Sequence, residues 1–536
     1  MSKNRYSKFC AAAALAMLGI TAAYAGGDDK SPISLTPATM TRIGSVDERF
    51  LSLNIEMLEV TGGRFWKPYN QTQAQEPPTD SSESHTPAGM NPNMYQYRPP
   101  IDFANPRRRK LAAALGPSYM RVSGTWANTT YFQDSAGPPP KTPPTGFNGV
   151  LTREQWKSVV DFSHAVDAKI VTSFATSAGT RDAAGVWTPA EAAKFLAYTH
   201  SIGGSIAAAE FMNEPTIATL GGAPKGYDAA AYGRDISVFV PFIRKTAPDM
   251  VILGPGSVGE GRTLMPASMP GVLRSEDLLQ ATGPVFDAFS YHFYGAVSKR
   301  CAGMGGAAMQ TTQEAALSDE WLARTDQVEA FYANLRDKFD PGKPLWLTET
   351  ADAACGGNPW ASTFLDSFRY LNQLGTLAHH GVQVVMHNTL DASDYGLLDE
   401  TTLEPRPNYW AALLWRRLMG TTVLDPGASS ANGLHIYAHC LRGKPGGVAV
   451  LVINTDRNEA QSLDMPSPAE RYTLSSGDLM STHVDLNGHE LELGANDALP
   501  QLKGAPVHAG KLTFAAASIT FLAIPKANNP SCRAER

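Results

Sequence analysis

Long apolar runs are scarce in this sequence of 536 residues. The clearest one follows Lys3, Arg5 and Lys8 at the N-terminus, and Ala23-Tyr24-Ala25 then supplies the small side chains of a cleavage site. This pattern predicts a secretory signal peptide at residues 1–25. A retained membrane anchor is the alternative, but the apolar run is short for a bilayer span. We therefore expect a secreted or periplasmic protein with no stable membrane insertion.

An excess of positive charge is also lacking. The formal net charge is −6, and only 18% of the residues are charged. Proteins that bind nucleic acid usually present a broad basic surface, because they must neutralise phosphates. Nucleic acid is therefore not an expected partner, and an anionic substrate would have to be recognised within a local cleft.

The usual motifs of metal and cofactor sites are missing. No paired-cysteine spacing occurs, and no metal site is expected. No glycine-rich dinucleotide fingerprint follows the first strand-like run, which argues against an open doubly wound sheet and predicts no cofactor.

Cysteine is rare, with five in the chain. Cys10 would be removed with the signal peptide, and four would remain: Cys301, Cys355, Cys440 and Cys532. An even number of cysteines in an exported protein makes two disulfides possible.

From Phe50 onward, eight strand-like runs alternate with amphipathic, helix-like segments. Such an α/β series predicts a (β/α)₈ TIM barrel, here at residues 49–418, whose catalytic groups lie at the C-terminal ends of the strands. Short alternating runs after Leu418 predict an antiparallel β-sandwich domain at 419–536, and residues 26–48 are expected to add a strand to it. Two proline-rich insertions, 71–100 and 135–149, are expected to be irregular loops on the catalytic face.

Two glutamates stand where predicted strands end. Glu214 lies in "EFMNEP" after the fourth strand, and Glu349 closes "KPLWLTET", the seventh strand. An isolated Asn-Glu-Pro is more often a solvated loop, and Glu349 could be a structural rim residue. A pair of carboxylates facing one another is, however, what glycosidic bond cleavage requires. The matching positions favour catalysis.

The neighbouring residues suggest how the two roles are divided. In "FSYHFY" the period of two puts His292 and Tyr294 on one face, from which Tyr294 could hydrogen-bond Glu349 and keep it ionised. Glu349 would then be the nucleophile and Glu214 the acid and base. Asn213 would hold a sugar hydroxyl. A core position is the alternative for His292.

These motifs resemble the heparanase family, glycoside hydrolase family 79. The resemblance rests on Asn213 to Pro215, on "LWLTETADAACGG", and on the run "FLDSFRYLNQLGTLAHHGVQVVMHNTL" with "DYGLLDE" and "PNYWAALLWRRLMGTTVL". It extends upstream to "FLSLNIE" and "YMRVSGT". The resemblance implies an endo-β-glucuronidase that acts on heparan sulfate-like anionic polysaccharides by double displacement.

The resemblance also implies residue roles. Glu214 would be the proton donor and Glu349 the nucleophile. The further substrate-binding positions are Glu56, Thr125 and Asn388, together with a group that would grip the glucuronate carboxylate: Tyr395, Gly356 and Gly357. A flexible turn is the alternative for the two glycines.

The resemblance further implies a disulfide between Cys440 and Cys532, since heparanases have cysteines at similar places. Two unpaired thiols are the alternative, and a bridge between Cys301 and Cys355 is left open. Cys355 replaces a glycine of the family pattern, and an excisable linker after the second strand is missing, which predicts a single-chain enzyme. Lys225, Arg262, Lys299 and Arg300 are the remaining loop cations that could meet sulfates, although each is expected to be a plain surface charge.

Two other functions compete with this interpretation. An exo-acting β-glucuronidase would use the same two carboxylates, with a loop closing one end of the cleft. A carbohydrate-binding protein without activity is the second, but the presence of both Glu214 and Glu349 argues against it. The sequence leaves the sulfation preference and the oligomeric state undetermined.

Overall fold

A computed structural model describes residues 33–69, 91–261, 271–304, 309–427 and 433–533. The predicted signal peptide, most of the first proline-rich insertion and Arg262 lie outside these ranges. Among the described helices, none combines the length and apolar character needed to cross a membrane.

The centre of the molecule is a closed barrel of eight parallel strands, in which each strand pairs with the next and the eighth pairs with the first. The predicted (β/α)₈ barrel is therefore confirmed. Its strands, in chain order, are Leu51–Glu56, Ser118–Ser123, Ala168–Ser173, Ile206–Glu210, Val251–Ser257, Ala288–Val297, Leu345–Ala354 and Val384–His387.

Helices surround the barrel and bury apolar side chains against it. In Arg153–Ala165, for example, Trp156, Val159 and Phe162 are fully buried, while Thr152 caps the N-terminus in a capping box with Gln155. The helices are Met57–Thr61, Pro106–Leu115, Arg153–Ala165, Ala190–Ser201, Ala229–Thr246, Ser275–Thr282, Asp319–Leu322, Arg324–Phe339, Phe364–His379 and Pro407–Leu418.

The barrel interior changes character along its axis. Near the N-terminal ends of the strands it is filled by an apolar cluster that includes Tyr119, Leu253, Trp346 and Met386. Above this layer, towards the C-terminal ends, the inward-facing side chains are polar or charged and buried. The apolar layer closes the floor, so chemistry is confined to the upper mouth.

The C-terminal region forms two sheets with an apolar core between them, which confirms the predicted β-sandwich. The larger sheet is antiparallel and contains Arg42–Ser45, Met419–Leu424, Leu434–Leu441, Val448–Asn454, Ser518–Ile524, Ala469–Ser475, Asp485–Leu486, His489–Glu490 and Ala505–Val507. The smaller sheet contains Ile33–Ser34, Gln461–Met465 and Gly510–Phe514. The segment before the barrel thus supplies a strand to each sheet.

Cys440 and Cys532 form a disulfide in the sandwich. Cys440 lies in the strand Leu434–Leu441 and Cys532 ends the short turn Pro530–Cys532, and both are fully buried. The bond ties the end of the described chain to the sheet, and a cross-link of this kind stabilises a fold by roughly 2–4 kcal/mol.

The first proline-rich insertion is more ordered than predicted where it is described. Tyr95–Arg98 is a strand that pairs with Gly63–Trp66, because alternating tyrosines suit a half-buried ribbon. Gly149–Thr152 likewise pairs with Thr130–Gln133. The expectation of an irregular loop was therefore wrong for the described end of the first insertion, whereas residues 135–148 of the second contain no helix or strand, as predicted.

Candidate active site

Glu214 and Glu349 face one another across the mouth of the barrel. One carboxylate oxygen of each, together with a ring nitrogen of His292, lies within 4.8 Å of the others. Glu214 follows barrel strand four by four residues and has a φ of 51°, whereas Glu349 lies inside barrel strand seven. The expectation that Glu349 closes its strand was wrong, because strand seven continues to Ala354 alongside strand six.

Arg121, in barrel strand two, connects the groups around this pair. Its Nη1 donates to Glu349 Oε2 at 2.8 Å, and its Nη2 donates to Asn213 Oδ1 at 2.7 Å and to Glu210 Oε2 at 2.8 Å. The residue is 1% exposed. A guanidinium with several donors in one plane can hold three partners in a fixed arrangement.

Glu210, the last residue of barrel strand four, anchors Arg121 from below. Its Oε1 accepts hydrogen bonds from Thr348 Oγ1 at 2.7 Å and Ser290 Oγ at 2.9 Å. Burial alone would raise the pKa of Glu210, but Arg121 and His292 hold it well below the usual range of a glutamate. Glu210 is therefore a permanent negative charge that neutralises Arg121.

His292 links the two proposed catalytic carboxylates. Its Nδ1 lies 3.1 Å from Glu214 Oε1 and 3.7 Å from Glu349 Oε2. Burial opposes protonation of this ring, but the charge of Glu349, the hydrogen bond to Glu214 and the nearby carboxylate of Glu210 outweigh it and raise its pKa. With no exposed surface, His292 supports the carboxylates from behind rather than meeting a substrate directly.

The two carboxyl groups have pKa values shifted in opposite directions. Burial raises the pKa of Glu214, and the charge of Glu349 adds to this effect, although the hydrogen bond with His292 opposes it. Burial would also raise the pKa of Glu349, but His292, Arg121 and the Tyr294 hydroxyl lower it below the ordinary value. Such a pair can supply an acid and an ionised nucleophile at the same pH.

Tyr294 and Asn388 extend the network to the other side of the mouth. The Tyr294 hydroxyl donates to Glu349 Oε1 at 2.6 Å. Asn388 Nδ2 lies within 3.2 Å of Glu56 Oε1, Tyr294 Oη and Tyr395 Oη. Asn388 Oδ1 is buried and has no hydrogen-bond partner among the described residues.

Glu56, at the end of barrel strand one, is a third carboxyl group in the mouth. Burial and the charges of Glu349 and Glu59 raise its pKa well above the ordinary value. Gly124 has a φ of 91°, and a Cβ there would lie 1.6 Å from Glu56 Oε2, so only glycine fits. Thr125 follows directly and is partly exposed at the rim.

Gly356 and Gly357 lie beside Tyr395, as expected if the three residues together bind the glucuronate carboxylate. Both have positive φ angles, and a Cβ on Gly357 would come within 3.3 Å of the Tyr395 Cβ. A Cβ on Gly356 would lie 2.5 Å from Trp66 Cβ. The close packing of three loops, rather than flexibility, explains these glycines.

The cluster of Glu214, His292 and Glu349 has the spacing of a metal site. Both oxygens of Glu349, however, already accept hydrogen bonds, from Arg121 and Tyr294. A cation would have to displace a buried guanidinium that repels it. The donor set therefore suits acid and base chemistry better than metal binding.

Sequence reasoning missed Arg121 and Glu210. Both are single charges in otherwise apolar strands, "SYMRVS" and "IAAAE", and each is on the inward face of the barrel. A charged residue is almost never fully buried unless it is paired. A lone charge in an apolar strand therefore indicates a buried ion pair, but it does not reveal the partner residue.

Comparisons with known proteins agree on the family. The model of glycosyl hydrolase family 79, N-terminal domain, matches residues 141–375. The chain is 28% identical to heparanase of Mus musculus over 503 residues, which covers 80% of this chain and 88% of that protein. It is 27% identical to hyaluronoglucuronidase of Hirudo nipponia over 476 residues, covering 81% and 92% of the two chains.

Solved structures support the architecture. The GH51 arabinofuranosidase from Xanthomonas axonopodis pv. citri superposes with a TM-score of 0.59 at 16% identity, covering 91% of this chain and 99% of that one. A 4-O-alpha-L-rhamnosyl-beta-D-glucuronidase from Fusarium oxysporum gives 0.58 at 14% identity, covering 92% and 99%. At such identities the likeness concerns the fold alone. Taken with the family match at residues 141–375 and the relatives that span four fifths of the chain, it leads to one assignment: the protein is a glycoside hydrolase that is similar to glycoside hydrolase family 79.

Proposed function

We propose that this enzyme is a retaining endo-β-glucuronidase that cleaves internal β-D-glucuronosyl linkages in heparan sulfate-type glycosaminoglycans. The observation that carries the proposal is the distance of less than 4.8 Å between carboxylate oxygens of Glu214 and Glu349. Retaining glycosidases hold the two carboxyl groups about 5–5.5 Å apart, whereas inverting enzymes leave room for a water molecule between them.

In the first step Glu349 attacks the anomeric carbon and forms a glycosyl ester. Glu214 gives its proton to the departing glycosidic oxygen, so the aglycone leaves as a neutral alcohol. Arg121 and Tyr294 keep Glu349 ionised and aimed, because both donate to its oxygens. Asn213, which accepts a hydrogen bond from Arg121, is proposed to contact the hydroxyl next to the reacting carbon.

In the second step Glu214, now a carboxylate, takes a proton from water. The water attacks the anomeric carbon, the ester bond to Glu349 breaks, and the sugar leaves with retained configuration. Both carboxyl groups return to their starting protonation states, so no further reactant is needed. His292 contacts both carboxyl groups and can stabilise the negative charge on whichever of them is ionised.

The choice of a glucuronide rests on the relatives and on the groups beside the pair. The names of the mouse and leech relatives, and of baicalin-beta-D-glucuronidase of Scutellaria baicalensis, which is 34% identical over 189 residues, point to uronic acid linkages. Tyr395 and the amides of Gly356 and Gly357 can donate to a carboxylate. Burial raises the pKa of Glu56 well above the ordinary value, and in its protonated form the carboxyl group can donate to a sugar hydroxyl.

Export is part of the proposal. The signal peptide predicted at residues 1–25 and the two disulfides in the structure suit a secreted or periplasmic enzyme. Disulfides are rare in reducing compartments.

The proposal is tested by digesting heparan sulfate and sizing the products with end-group analysis. Endo cleavage is expected to shorten the polymer early and to create new reducing ends of glucuronate in the β configuration. Release of glucuronate monomer alone, with the polymer length unchanged at first, would establish the exo alternative. An intact polymer and no reaction with simple β-glucuronides would reject glucuronidase activity.

The opposite pKa shifts predict a bell-shaped pH profile of kcat/KM. As the pH falls, activity is lost when Glu349 is protonated. This acidic limb of the profile lies at low pH because the pKa of Glu349 is lowered. As the pH rises, activity is lost when Glu214 loses its proton, and this limb lies above the ordinary glutamate value because its pKa is raised. We expect an optimum on the acidic side of neutrality, measured on a chromogenic glucuronide. A profile that is flat from about pH 4 to 9 would contradict the assignment.

A further inference from the structure

The dipeptide Arg300–Cys301, just after barrel strand six, connects the loops that follow strands one, seven and eight. We propose that this dipeptide, which we call the Arg300–Cys301 tether, positions Tyr395, Gly356 and Gly357 so that they can bind the carboxylate of a uronic acid. The inference rests on the proposed function, since it deepens the account of substrate recognition at the same site.

Arg300 makes contacts on three sides. Its Nη2 donates to Asp394 Oδ2 at 2.5 Å, its Nη1 donates to the Lys67 carbonyl, and its guanidinium lies 4.1 Å from the centre of the Tyr69 ring. The Tyr69 hydroxyl in turn accepts from the Arg300 amide at 3.0 Å. The expectation that Arg300 is a plain surface charge was wrong, because its side chain is only 8% exposed.

Asp394 connects Arg300 to Tyr395, one of the proposed substrate-binding residues. It directly precedes Tyr395, and its Oδ1 accepts from the Tyr69 amide at 3.3 Å. Arg300 and Tyr69 together therefore fix the backbone that presents the Tyr395 hydroxyl.

Cys301 holds the loop after strand seven. It forms a disulfide with Cys355, the residue before Gly356. Ser298 supports the same junction, since its Oγ donates to the Cys355 carbonyl at 3.0 Å and its amide donates to the Ala354 carbonyl at 3.0 Å. The disulfide packs in an apolar cluster with Val297, Met309 and Trp66.

The loops after strands seven and eight also touch each other. Ser393 Oγ donates to the Gly356 carbonyl at 2.9 Å, and Trp66 covers the α-carbon of Gly356. A ring of contacts thus runs through residues 66–69, 300–301, 355–357 and 393–395. Loops without regular hydrogen bonding keep their positions only through such contacts. The tether joins the loop after strand seven, through Cys301, to the loop after strand eight, through Arg300.

The residues that directly hold the catalytic pair lie outside this ring. Glu349 is held by Arg121 and Tyr294, and Glu214 by His292, all through groups on barrel strands. Loss of the tether is therefore expected to weaken recognition of the carboxylate and to leave the chemical step nearly intact. This difference separates positioning from a general structural role.

The test compares Cys301→Ala/Cys355→Gly with a matched control, Cys440→Ala/Cys532→Ala, which removes the distant disulfide. Glycine is used at position 355 because Cys355 has a φ of 66°. The substrates are 4-nitrophenyl β-D-glucuronide and 4-nitrophenyl β-D-glucoside, which share a leaving group and differ in the carboxylate. For the tether variant we expect KM for the glucuronide to rise about tenfold, with kcat within about threefold. The control should keep the KM of the unmodified enzyme while its melting temperature falls.

Arg300→Lys provides a second variant that does not affect either disulfide. Lysine retains the charge beside Asp394 but lacks the planar fork and the stacking on Tyr69, so KM should rise in the same direction. If glucoside turnover is below detection, the change of KM against kcat on the glucuronide decides alone. An unchanged KM in both variants, or an equal loss of kcat on both substrates, would overturn the tether.

The two proposals fail in different ways. If the unmodified enzyme does not prefer the glucuronide over the glucoside, the proposed glucuronidase function is wrong. If the preference exists and both tether variants keep it at the original KM, only the tether is wrong.

Discussion

Replacement of Glu349 by alanine is expected to abolish turnover, with a loss on the order of 10⁴-fold or more on every substrate. The reason is that no other described carboxylate lies at the same place with a lowered pKa. Glu349→Gln keeps the volume and should be as inactive, which separates the loss of the nucleophile from a loss of packing. The measurement is kcat/KM on 4-nitrophenyl β-D-glucuronide and on heparan sulfate.

Glu214→Ala is the informative comparison for this prediction. A general acid contributes typically 10²–10⁴-fold, and it matters most when the leaving group is a poor one. The Glu214 variant should therefore lose most of its activity on the polysaccharide. The rate at which it forms the glycosyl-enzyme from the nitrophenyl glycoside should fall much less. Near-normal turnover by Glu349→Ala, or equal losses of Glu214→Ala on both leaving groups, would contradict the assigned roles.

The second large effect is expected for Arg121→Met. This change leaves Glu210 and Glu349 buried without their cation, and breaking a buried ion pair costs about 3–5 kcal/mol. The pKa of Glu349 should also rise, because Arg121 is one of the groups that lower it. The acid limb of the pH profile is therefore expected to move to higher pH, in addition to a fall in the free energy of unfolding.

A double variant separates stability from activity. In Arg121→Met/Glu210→Gln one of the two uncompensated charges is gone, so much of the lost stability should return. Activity should stay low, because Glu349 still lacks the donor to its Oε2 and Asn213 still lacks its anchor. Denaturant unfolding and a pH series on both variants give the result. A single variant as stable as the unmodified enzyme would show that Arg121 does not hold this network.

The strands and the two proposed catalytic glutamates could be predicted because their signals are local. Eight apolar runs separated by amphipathic segments reflect burial on both faces of a parallel strand, and this periodicity is written in neighbouring residues. Glu214 and Glu349 stood out because each follows or interrupts such a run. The hypothesis that Tyr294 bonds Glu349 was also local, since alternation along one strand puts residues on one face.

The relations between distant loops could not be predicted in the same way. Arg121 and Glu210 are 89 positions apart, and nothing near either one indicates the other. Cys301 and Cys355 could only be left open, because four cysteines allow several pairings and the choice depends on loop positions. Arg300 was assigned to the surface since a loop cation usually is, whereas its partner Asp394 lies 94 residues away.

The sequence by itself thus determined the barrel and the sandwich and indicated the two glutamates proposed as catalytic, because periodicity and strand ends depend on residues close together in the chain. The tertiary structure alone decided which charges neutralise one another and which loops are held together. Closing the barrel brings eight strand ends into one mouth, where Arg121 lowers the pKa of Glu349 and Arg300 reaches Asp394. These interactions depend on distances across the barrel, and such distances are set only when the whole sheet has closed.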